Sequence, residues 1–259
     1  MLILLPPSEG KTAPRRGKAL DLAALSFPTL TETRARVLSH LVDLCRDDPT
    51  KAAETLGLGP KQLDLVERNA DLLVAPTARA DAVYTGVLYD ALDAASLSSA
   101  AKRRATSRVA VASALFGLLS PADRIPAYRL SGDATLPGLG GLAAQWRPVL
   151  GEAVAERVGG GLLVDLRSGM YANLWRPAPA DAGRVAGVRV LHEHAGKRKV
   201  VSHFNKATKG RIVRALLEAG ATPRTPAALA EALRDLGWHV EVGEPGARGT
   251  ELDVVVTEV

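Results

Sequence analysis

Residues 2–12 read LILLPPSEGKT, and this stretch changes abruptly from apolar to polar. The apolar run at residues 2–5 predicts a short buried strand, and the two prolines predict a rigid turn after it. The closing G-K-T matches the end of the phosphate-binding pattern G-x-x-x-x-G-K-[ST]. Leu5 stands where that pattern requires its first glycine, and the prolines remove two backbone N–H donors. The stretch therefore predicts a strand with a polar turn rather than a P-loop.

The same change from apolar to polar recurs in three later segments: RVAVASALFGLLSPADRIPAYRLSG (108–132), GLLVDLRSGMYANLW (161–175) and KVVSHFNKATKGR (199–211). In α/β proteins the loops at strand ends gather over one edge of the sheet and hold ligands there. We therefore expect one cleft formed by Lys11, Arg124, Tyr128, Arg129, Arg167, Tyr171, His203, Lys206 and Lys209. A cleft lined by one sign of charge attracts anions.

Helical periodicity and breaking residues place the other elements. Helices are predicted at residues 31–45, 50–56, 96–104, 140–157, 206–219 and 225–236. Strands are predicted at residues 108–113 and 161–166, in a hairpin of residues 188–194 and 197–204 joined through Ala195 and Gly196, and at residues 238–242 and 251–259. Residues 114–119 are predicted as a short helix or turn. The pattern predicts one mixed α/β domain over residues 1–259, with a central, partly antiparallel mixed sheet surrounded by helices.

Residues 50–73 resemble a helix-hairpin-helix, because a helix, a glycine-containing turn and a second helix follow one another. Such a turn can bind DNA phosphates through its backbone amides. An ordinary corner between two helices fits the same pattern, and we favour that interpretation.

Composition indicates a globular protein with anionic partners. Of the 259 residues, 47% are apolar and 24% charged, and the formal net charge is +5. A basic balance favours nucleic acid or phosphorylated ligands. A single cysteine, Cys45, excludes an internal disulfide and fits a reducing compartment. With no signal peptide and no apolar stretch near the ~20 residues of a membrane span, we expect a cytoplasmic protein.

Several of the expected cleft residues also have a plain structural interpretation. Tyr84, next to Thr85 and Gly86, fits a packed ring with a bonded hydroxyl as well as a functional group. Arg167 could simply pair with Asp165. Tyr128 and Arg129 follow Pro126 in a stretch without periodicity, which favours a functional role for them.

Seven cations and no acid lie between residues 197 and 214. Such a run is usually a solvated face. Lys206 and Lys209 share one side of the predicted helix near its start, where cations oppose the helix dipole. That mismatch indicates an anion site. His203 could be a satisfied histidine at the end of a strand. His192 and His194 flank Glu193 on a strand without further ligands nearby, so no metal site is predicted.

No catalytic signature is present, neither a nucleophile elbow nor a kinase or zinc-deaminase set. Ser8, Glu9 and Lys11 could serve as nucleophile, base and electrostatic clamp. Tyr84 and His203 are further candidates. Cys45 lies in an apolar helical pattern, which predicts a core residue. The catalytic residues remain unknown at this stage, and no cofactor is predicted.

The ordered set of segments is similar to the peroxide stress protein YaaA family. It runs from MLILLPPSEGKT through VYTGVLYDAL, ALFGLLSPADRIPAYRLSG and LLVDLRSGMYANLW to KVVSHFNKATKGRIVRAL, nearly the whole chain. Lys11, Thr12 and Lys206 match positions of the family's motifs, whereas Glu9 departs from them. The resemblance implies a cytosolic α/β protein that binds double-stranded, preferably distorted DNA and limits damage from iron and hydrogen peroxide.

We therefore expect a DNA-binding protein of the peroxide stress response, with bubbled or otherwise distorted duplexes as partners. The residues expected to bind DNA or another anion are Lys11, Thr12, Arg124, Tyr128, Arg129, Arg167, Ser168, Tyr171, Lys206, Lys209 and Arg211. The alternative is an enzyme that acts on a nucleotide or another phosphate-bearing small molecule in the same cleft. An iron-binding protein is a third hypothesis, supported only by His192, Glu193 and His194.

Overall fold

The computed structural model of the chain describes residues 1–194 and 197–257, without the side chains of Ser202 and His203. Within those residues the strands are β1 (Leu2–Leu5), β2 (Ala78–Arg79), β3 (Val109–Ser113), β4 (Gly117–Leu119), β5 (Arg124–Ile125), β6 (Thr135–Leu136), β7 (Gly140–Gly141), β8 (Leu163–Asp165), β9 (Val185–His194), β10 (Lys197–Lys199), β11 (His239–Gly246) and β12 (Gly249–Val256). The α-helices are α1 (Thr31–Asp47), α2 (Pro49–Thr55), α3 (Asp64–Ala70), α4 (Ala80–Val83), α5 (Val87–Leu92), α6 (Ser99–Arg108), α7 (Leu142–Val158), α8 (Gly169–Ala172), α9 (Ser202–Ala219) and α10 (Pro226–Asp235). None of these helices has the length and apolarity that a membrane span requires.

The described part of the chain contains an eight-stranded central sheet. Its order is β11-β12-β9-β8-β1-β3-β4, and β10 pairs with β9. The five middle strands, from β12 to β3, run parallel, whereas β4, β10 and β11 are antiparallel to their neighbours. The predicted mixed α/β fold with a partly antiparallel sheet is confirmed.

β1 lies at the centre of the sheet, with Ile3 opposite Val109 of β3 and Val164 of β8. All four of its residues are fully buried, which explains why the run is apolar without alternation. From β1 the chain passes to β3 on one side and later returns to β8 on the other. Loops that leave neighbouring strands in opposite directions open a crevice at the carboxyl ends of those strands. The turn after β1 therefore borders this crevice.

Residues 114–119 differ from the prediction of a helix or turn. They form a tight turn followed by β4, which pairs back on β3. Gly117 makes this possible: its φ of +70° is one that other residues rarely adopt, and a Cβ there would lie 2.7 Å from the Trp146 ring. Local periodicity could not reveal a pairing that depends on Trp146, 29 positions downstream.

The segment predicted as a strand over residues 197–204 is only partly one. β10 pairs with β9 as expected, but it ends at Lys199, and α9 already begins at Ser202. The three residues of β10 are exposed at the edge of the sheet, so burial does not favour a longer strand. The predicted turn at Ala195 and Gly196, and the last two residues of the closing strand, lie outside the described residues.

The helix-hairpin-helix-like segment is present. α2 is followed by a turn at Gly57 with φ +61°, a short 3-10 helix (Pro60–Gln62) and α3. The other predicted helices are confirmed within a few residues of their predicted ends, except that α9 begins four residues earlier than expected. Cys45 is buried in α1 as predicted.

α9 packs closely across α5, and a glycine permits the approach. A Cβ at Gly210 would lie 2.2 Å from the carbonyl oxygen of Leu88. The absence of a side chain there lets the two helices touch backbone to backbone. This contact brings Asn205, Lys206 and Lys209 of α9 to the carboxyl ends of β1 and β8.

Candidate functional site

A cavity of about 460 Å³ opens at the carboxyl ends of β1 and β8. Five segments line it: residues 6–11, 85–89, 129–131, 166–171 and 205–209. Its described lining contains four cations (Lys11, Arg129, Lys206 and Lys209) and one acid, Glu9. The volume lies in the range of small-ligand sites, about 300–1,000 Å³.

The turn after β1 is held in shape by the connection between α4 and α5. Ser8 Oγ donates to the carbonyl oxygen of Gly10 at 2.5 Å and accepts the N–H of Thr85 at 3.1 Å. The N–H of Thr12 donates to the carbonyl of Val83 at 2.9 Å. The Ser8 hydroxyl thus organises the turn, and its proton is already donated to a backbone carbonyl.

Lys11 reaches back over this turn. Its Nζ donates to the carbonyl oxygens of Ser8 at 2.7 Å and Glu9 at 3.3 Å, and lies 4.4 Å from the centre of the Tyr128 ring. Among the described residues, no carboxylate comes within 4 Å of Nζ to form an ion pair. Burial and the charge of Arg129 together lower the pKa of Lys11 to about 7, against the opposing charge of Glu9. Lys11 is therefore partly neutral near physiological pH.

Below Lys11 lies a cluster of buried tyrosines. The hydroxyls of Tyr84 and Tyr128 are 2.9 Å apart, and Tyr128 also bonds Ser113 Oγ at 2.7 Å. Burial raises the pKa values of both phenols well above their usual range, so the hydroxyls stay protonated. Tyr84 is therefore a packed ring with a bonded hydroxyl, the structural role that its sequence context also allowed. Tyr128 is only 3% exposed, so its ring supports Lys11 and is closed to a stacking base.

Arg167 and Asp165 form a buried ion pair on the β8 side. Nε and Nη2 of Arg167 bond the two carboxylate oxygens at 2.9 and 2.7 Å. Burial would raise the pKa of Asp165, but the bonds and charge of Arg167 outweigh it and lower that pKa. Arg167 does not line the cavity. It pairs with Asp165 instead, which is the structural role that the sequence also allowed.

Lys209 enters the cavity beside this ion pair. Its Nζ donates to the carbonyl oxygen of Leu166 at 3.1 Å. Burial lowers its pKa, whereas Asp165 and Glu251 oppose that shift. The neighbouring carboxylate favours the charged form, in contrast to the arginine that faces Lys11.

Arg129 is positioned by α3. The side-chain amide of Asn69 donates to the Arg129 carbonyl at 2.7 Å and accepts its N–H at 2.9 Å. The guanidinium pairs with Glu9 at 3.4 Å, but its Nε is buried without a hydrogen-bond partner among the described residues. Asn205 Oδ1, on the α9 side of the cavity, is also buried and unpaired in the described part of the chain. One buried donor and one buried acceptor beside the cavity thus lack a hydrogen-bond partner among the described residues.

The structure brings some of the predicted residues to the cavity and leaves others away from it. Ser8, Glu9, Lys11, Arg129, Ser168, Tyr171, Lys206 and Lys209 line it. Burial raises the pKa of Tyr171 to about 12. Thr12, Tyr84, Arg124, Tyr128, Arg167 and Arg211 lie outside the lining. Arg124 instead donates to the carbonyl of Thr77 at 2.8 Å.

The early start of α9 changes two expectations. Lys206 is its fifth residue and Lys209 its eighth, so neither stands in the first turn, where the helix dipole acts most strongly. The predicted conflict with the dipole is therefore weaker than expected. His203 was predicted at a strand end but belongs to the first turn of α9, and its side chain lies outside the described residues.

One histidine of the iron hypothesis is used in packing, and the other, His194, is exposed. His192 is buried and stacks on Phe204 with ring centres 5.5 Å apart. Glu193 bonds Arg198. Within the described residues, no group of three or more histidine, cysteine or acidic side chains could hold a metal ion.

Sequence reasoning missed Asn69, Tyr89, Met170 and Asn205. Met170 and Asn205 line the cavity, and Tyr89 both lines it and donates its hydroxyl to the carbonyl of Pro6 at 2.7 Å. The sequence did contain a signal for Tyr89, because this tyrosine lies in the first turn of a helix that begins directly after Gly86. Asn69 carried no signal, because its partner lies 60 positions away.

Comparison with known proteins gives consistent matches. The family model described as peroxide stress protein YaaA matches residues 1–242. A UPF0246 protein of Streptomyces coelicolor is 54% identical over the full length of both chains. A UPF0246 protein of Corynebacterium efficiens is 42% identical over 94% of this chain and 96% of its own. The chain therefore belongs to the peroxide stress protein YaaA family, which includes the UPF0246 proteins.

Proposed function

We propose that this protein acts in the cytoplasm during peroxide stress by binding DNA where the duplex is distorted, with one displaced nucleotide entering the cavity. The observation that carries the proposal is the cavity itself, with four cations and one acid in its described lining. Phosphates supply most of the affinity of DNA-binding proteins. By covering unpaired DNA strands, the protein would limit the damage that iron and hydrogen peroxide cause to them.

The size of the cavity supports a displaced nucleotide rather than an intact duplex. At about 460 Å³ it fits one nucleotide, whereas a duplex is roughly 20 Å across. Displacing a base costs a few kcal/mol and least at a site that is already unpaired. Arg129 Nε and Asn205 Oδ1 offer an unpaired donor and acceptor for its polar edge. This favours bubbled over intact DNA.

Binding to intact duplex, bubbled duplex and single nucleotides at several salt concentrations tests the proposal. We expect the bubbled duplex to bind most tightly and to weaken steeply with salt, because counterions are released. Lys206→Glu should abolish this binding, since Lys206 is exposed at the cavity. Lys102→Glu is the matched control, an exposed charge reversal on α6 outside the lining. Equal loss in both variants, or no preference for the bubble, would contradict the proposal.

A second function is supported by one observation, the lowered pKa of Lys11. Perturbed lysines are common in enzymes. The cavity could therefore serve an enzyme that acts on a free nucleotide or another phosphate-bearing small molecule. Saturable binding of one nucleotide without any DNA binding would favour it.

A further inference from the structure

We propose that Lys11 forms a covalent imine with an aldehyde or ketone that carries a phosphate group, the phosphate being held by the other cations of the cavity. From the proposed function, this inference takes only that the cavity binds a phosphate group. It assigns a chemical step to a site whose sequence has no catalytic signature.

The first support is the placement of the amine. Nζ lies in the cavity lining, held by the carbonyl oxygens of Ser8 and Glu9 and by the Tyr128 ring 4.4 Å away. A neutral amine has two N–H groups, which these two carbonyls accept, and one lone pair. In the neutral amine these two bonds leave the nitrogen lone pair unused.

The second support is the protonation state. Burial and Arg129 lower the pKa of Lys11 to about 7, so about half of the amine is neutral at pH 7. A lysine with the ordinary value of about 10.4 is neutral in roughly one molecule of 2,500 at that pH. Desolvation beside another cation is the usual way in which proteins activate a lysine for imine formation.

The third support is that other nucleophiles at the cavity are less suited. Ser8 already donates its proton to the carbonyl of Gly10, and Glu9 pairs with Arg129. Lys209 lies beside Asp165, which favours its charged form. The lining therefore separates into one activated amine and three cations, Arg129, Lys206 and Lys209, available to an anion.

The proposed step is a condensation without net redox change. The Nζ lone pair attacks the carbonyl carbon, and the carbonyl oxygen takes up a proton to give a carbinolamine. The hydroxyl group then leaves as water, with one further proton, as the C=N bond forms. Amine and carbonyl thus yield imine and water.

Two sources supply such a ligand: a free sugar phosphate, or an abasic deoxyribose in DNA, whose open form is an aldehyde between two phosphates. Trapping with cyanoborohydride, followed by peptide mapping, tests both. The probes are glyceraldehyde 3-phosphate, with glyceraldehyde as its uncharged control, and a duplex with one abasic site. A duplex with a tetrahydrofuran in place of the abasic sugar lacks the aldehyde and measures binding alone.

We expect reduced adduct on Lys11 at pH 7 at no less than about ten times the level on the exposed Lys206, because far more of the Lys11 amine is neutral than in a lysine of ordinary pKa. Lowering the pH to 5.5 should reduce that labelling about tenfold. Lys11→Arg should lose the adduct, because a guanidinium stays charged and does not condense with a carbonyl. Labelling by only one probe identifies the source of the carbonyl.

Labelling of Lys11 no higher than that of Lys206, with every probe, would overturn the inference. Because wild-type protein gives this result by itself, a poorly folded variant cannot obscure it. Tetrahydrofuran-duplex binding without a Lys11 adduct would leave the proposed function standing and remove the imine. Labelling of Lys11 by glyceraldehyde 3-phosphate without any duplex binding would support the imine and contradict the proposed DNA binding.

Discussion

The two buried lysines of the cavity, Lys11 after β1 and Lys209 on α9, have opposite surroundings. Both donate to backbone carbonyls, and burial lowers both pKa values. Lys11 faces Arg129 and aromatic rings, whereas Lys209 faces the carboxylate of Asp165. Burial is the main cause of both shifts, and the neighbouring charge adds to it at Lys11 but opposes it at Lys209.

The largest effect is expected from removing the carboxylate of Asp165, which lies beside Lys209 and favours its charged form. Asp165→Asn leaves the Arg167 guanidinium, 2% exposed, without its counterion, and should lower the free energy of unfolding by about 3–5 kcal/mol. Chemical denaturation measures this. Asp253→Asn is the matched control, because its pair with Arg189 is more exposed and worth at most about 1 kcal/mol. Equal losses would show that the buried pair has no special role.

Lys209→Met should weaken binding of a deoxynucleoside monophosphate about 10- to 100-fold, because a charge-assisted hydrogen bond is worth roughly 1.5–3 kcal/mol. Burial lowers the pKa of Lys209, but Asp165 and Glu251 oppose that shift, so the loss should differ less between pH 6 and pH 8 than the loss caused by Lys11→Met. Calorimetric titration at both pH values measures it. A loss confined to the lower pH would mean that the two lysines do not differ.

Lys11→Met should have a smaller and pH-dependent effect on the same binding. Below pH 7 the wild-type amine is charged and attracts the anion, and above pH 7 it is neutral, so the variant should lose affinity at pH 6 and little at pH 8. The same titrations provide the measurement. A loss that persists unchanged at pH 8 would contradict the lowered pKa.

Lys11→Met should also stabilise the fold by about 1–2 kcal/mol at pH 7, since the two lost hydrogen bonds offset part of a linkage gain of roughly 4 kcal/mol. Because the pKa of Lys11 is lower in the folded than in the unfolded chain, the unfolded chain binds the extra proton between pH 7 and about 10.5. Wild-type stability therefore rises with pH across that window, and the advantage of the variant should shrink towards pH 10. Thermal unfolding at three pH values measures this. A difference in unfolding temperature between variant and wild type that stays constant with pH would contradict a lowered pKa of Lys11.

The smallest effect is expected from Tyr128→Phe. It removes the hydroxyl that bonds Tyr84 and Ser113, at a cost of about 1 kcal/mol, but keeps the ring beneath Lys11. Reductive labelling of Lys11 should therefore be unchanged. Labelling that falls together with stability would show that the hydroxyl network, and not the ring, supports the amine.

Much of the fold could be read from local pattern. The apolar runs at residues 2–5, 109–113 and 163–165 are strands because the middle of a parallel sheet is buried on both faces. Prediction failed at β4 and at the start of α9. At β4, Gly117 next to Trp146 decides the path of the chain through a contact between distant segments. At α9, the exposed β10 ends at Lys199 and the helix begins soon after it.

The sequence by itself determined most of the longer strands and helices, the polar turns that follow β1 and β8, and the motifs that define the family. Tertiary structure alone decided which cations enter the cavity and what they meet there. Asn69 places Arg129 from 60 positions away, and Tyr84 meets Tyr128 across 44. Side-chain direction, burial and pKa depend on such long-range neighbours, which local pattern does not contain. That is the reason why G-K-T, a weak phosphate motif in the sequence, contributes in the fold a lysine whose pKa is lowered to about 7.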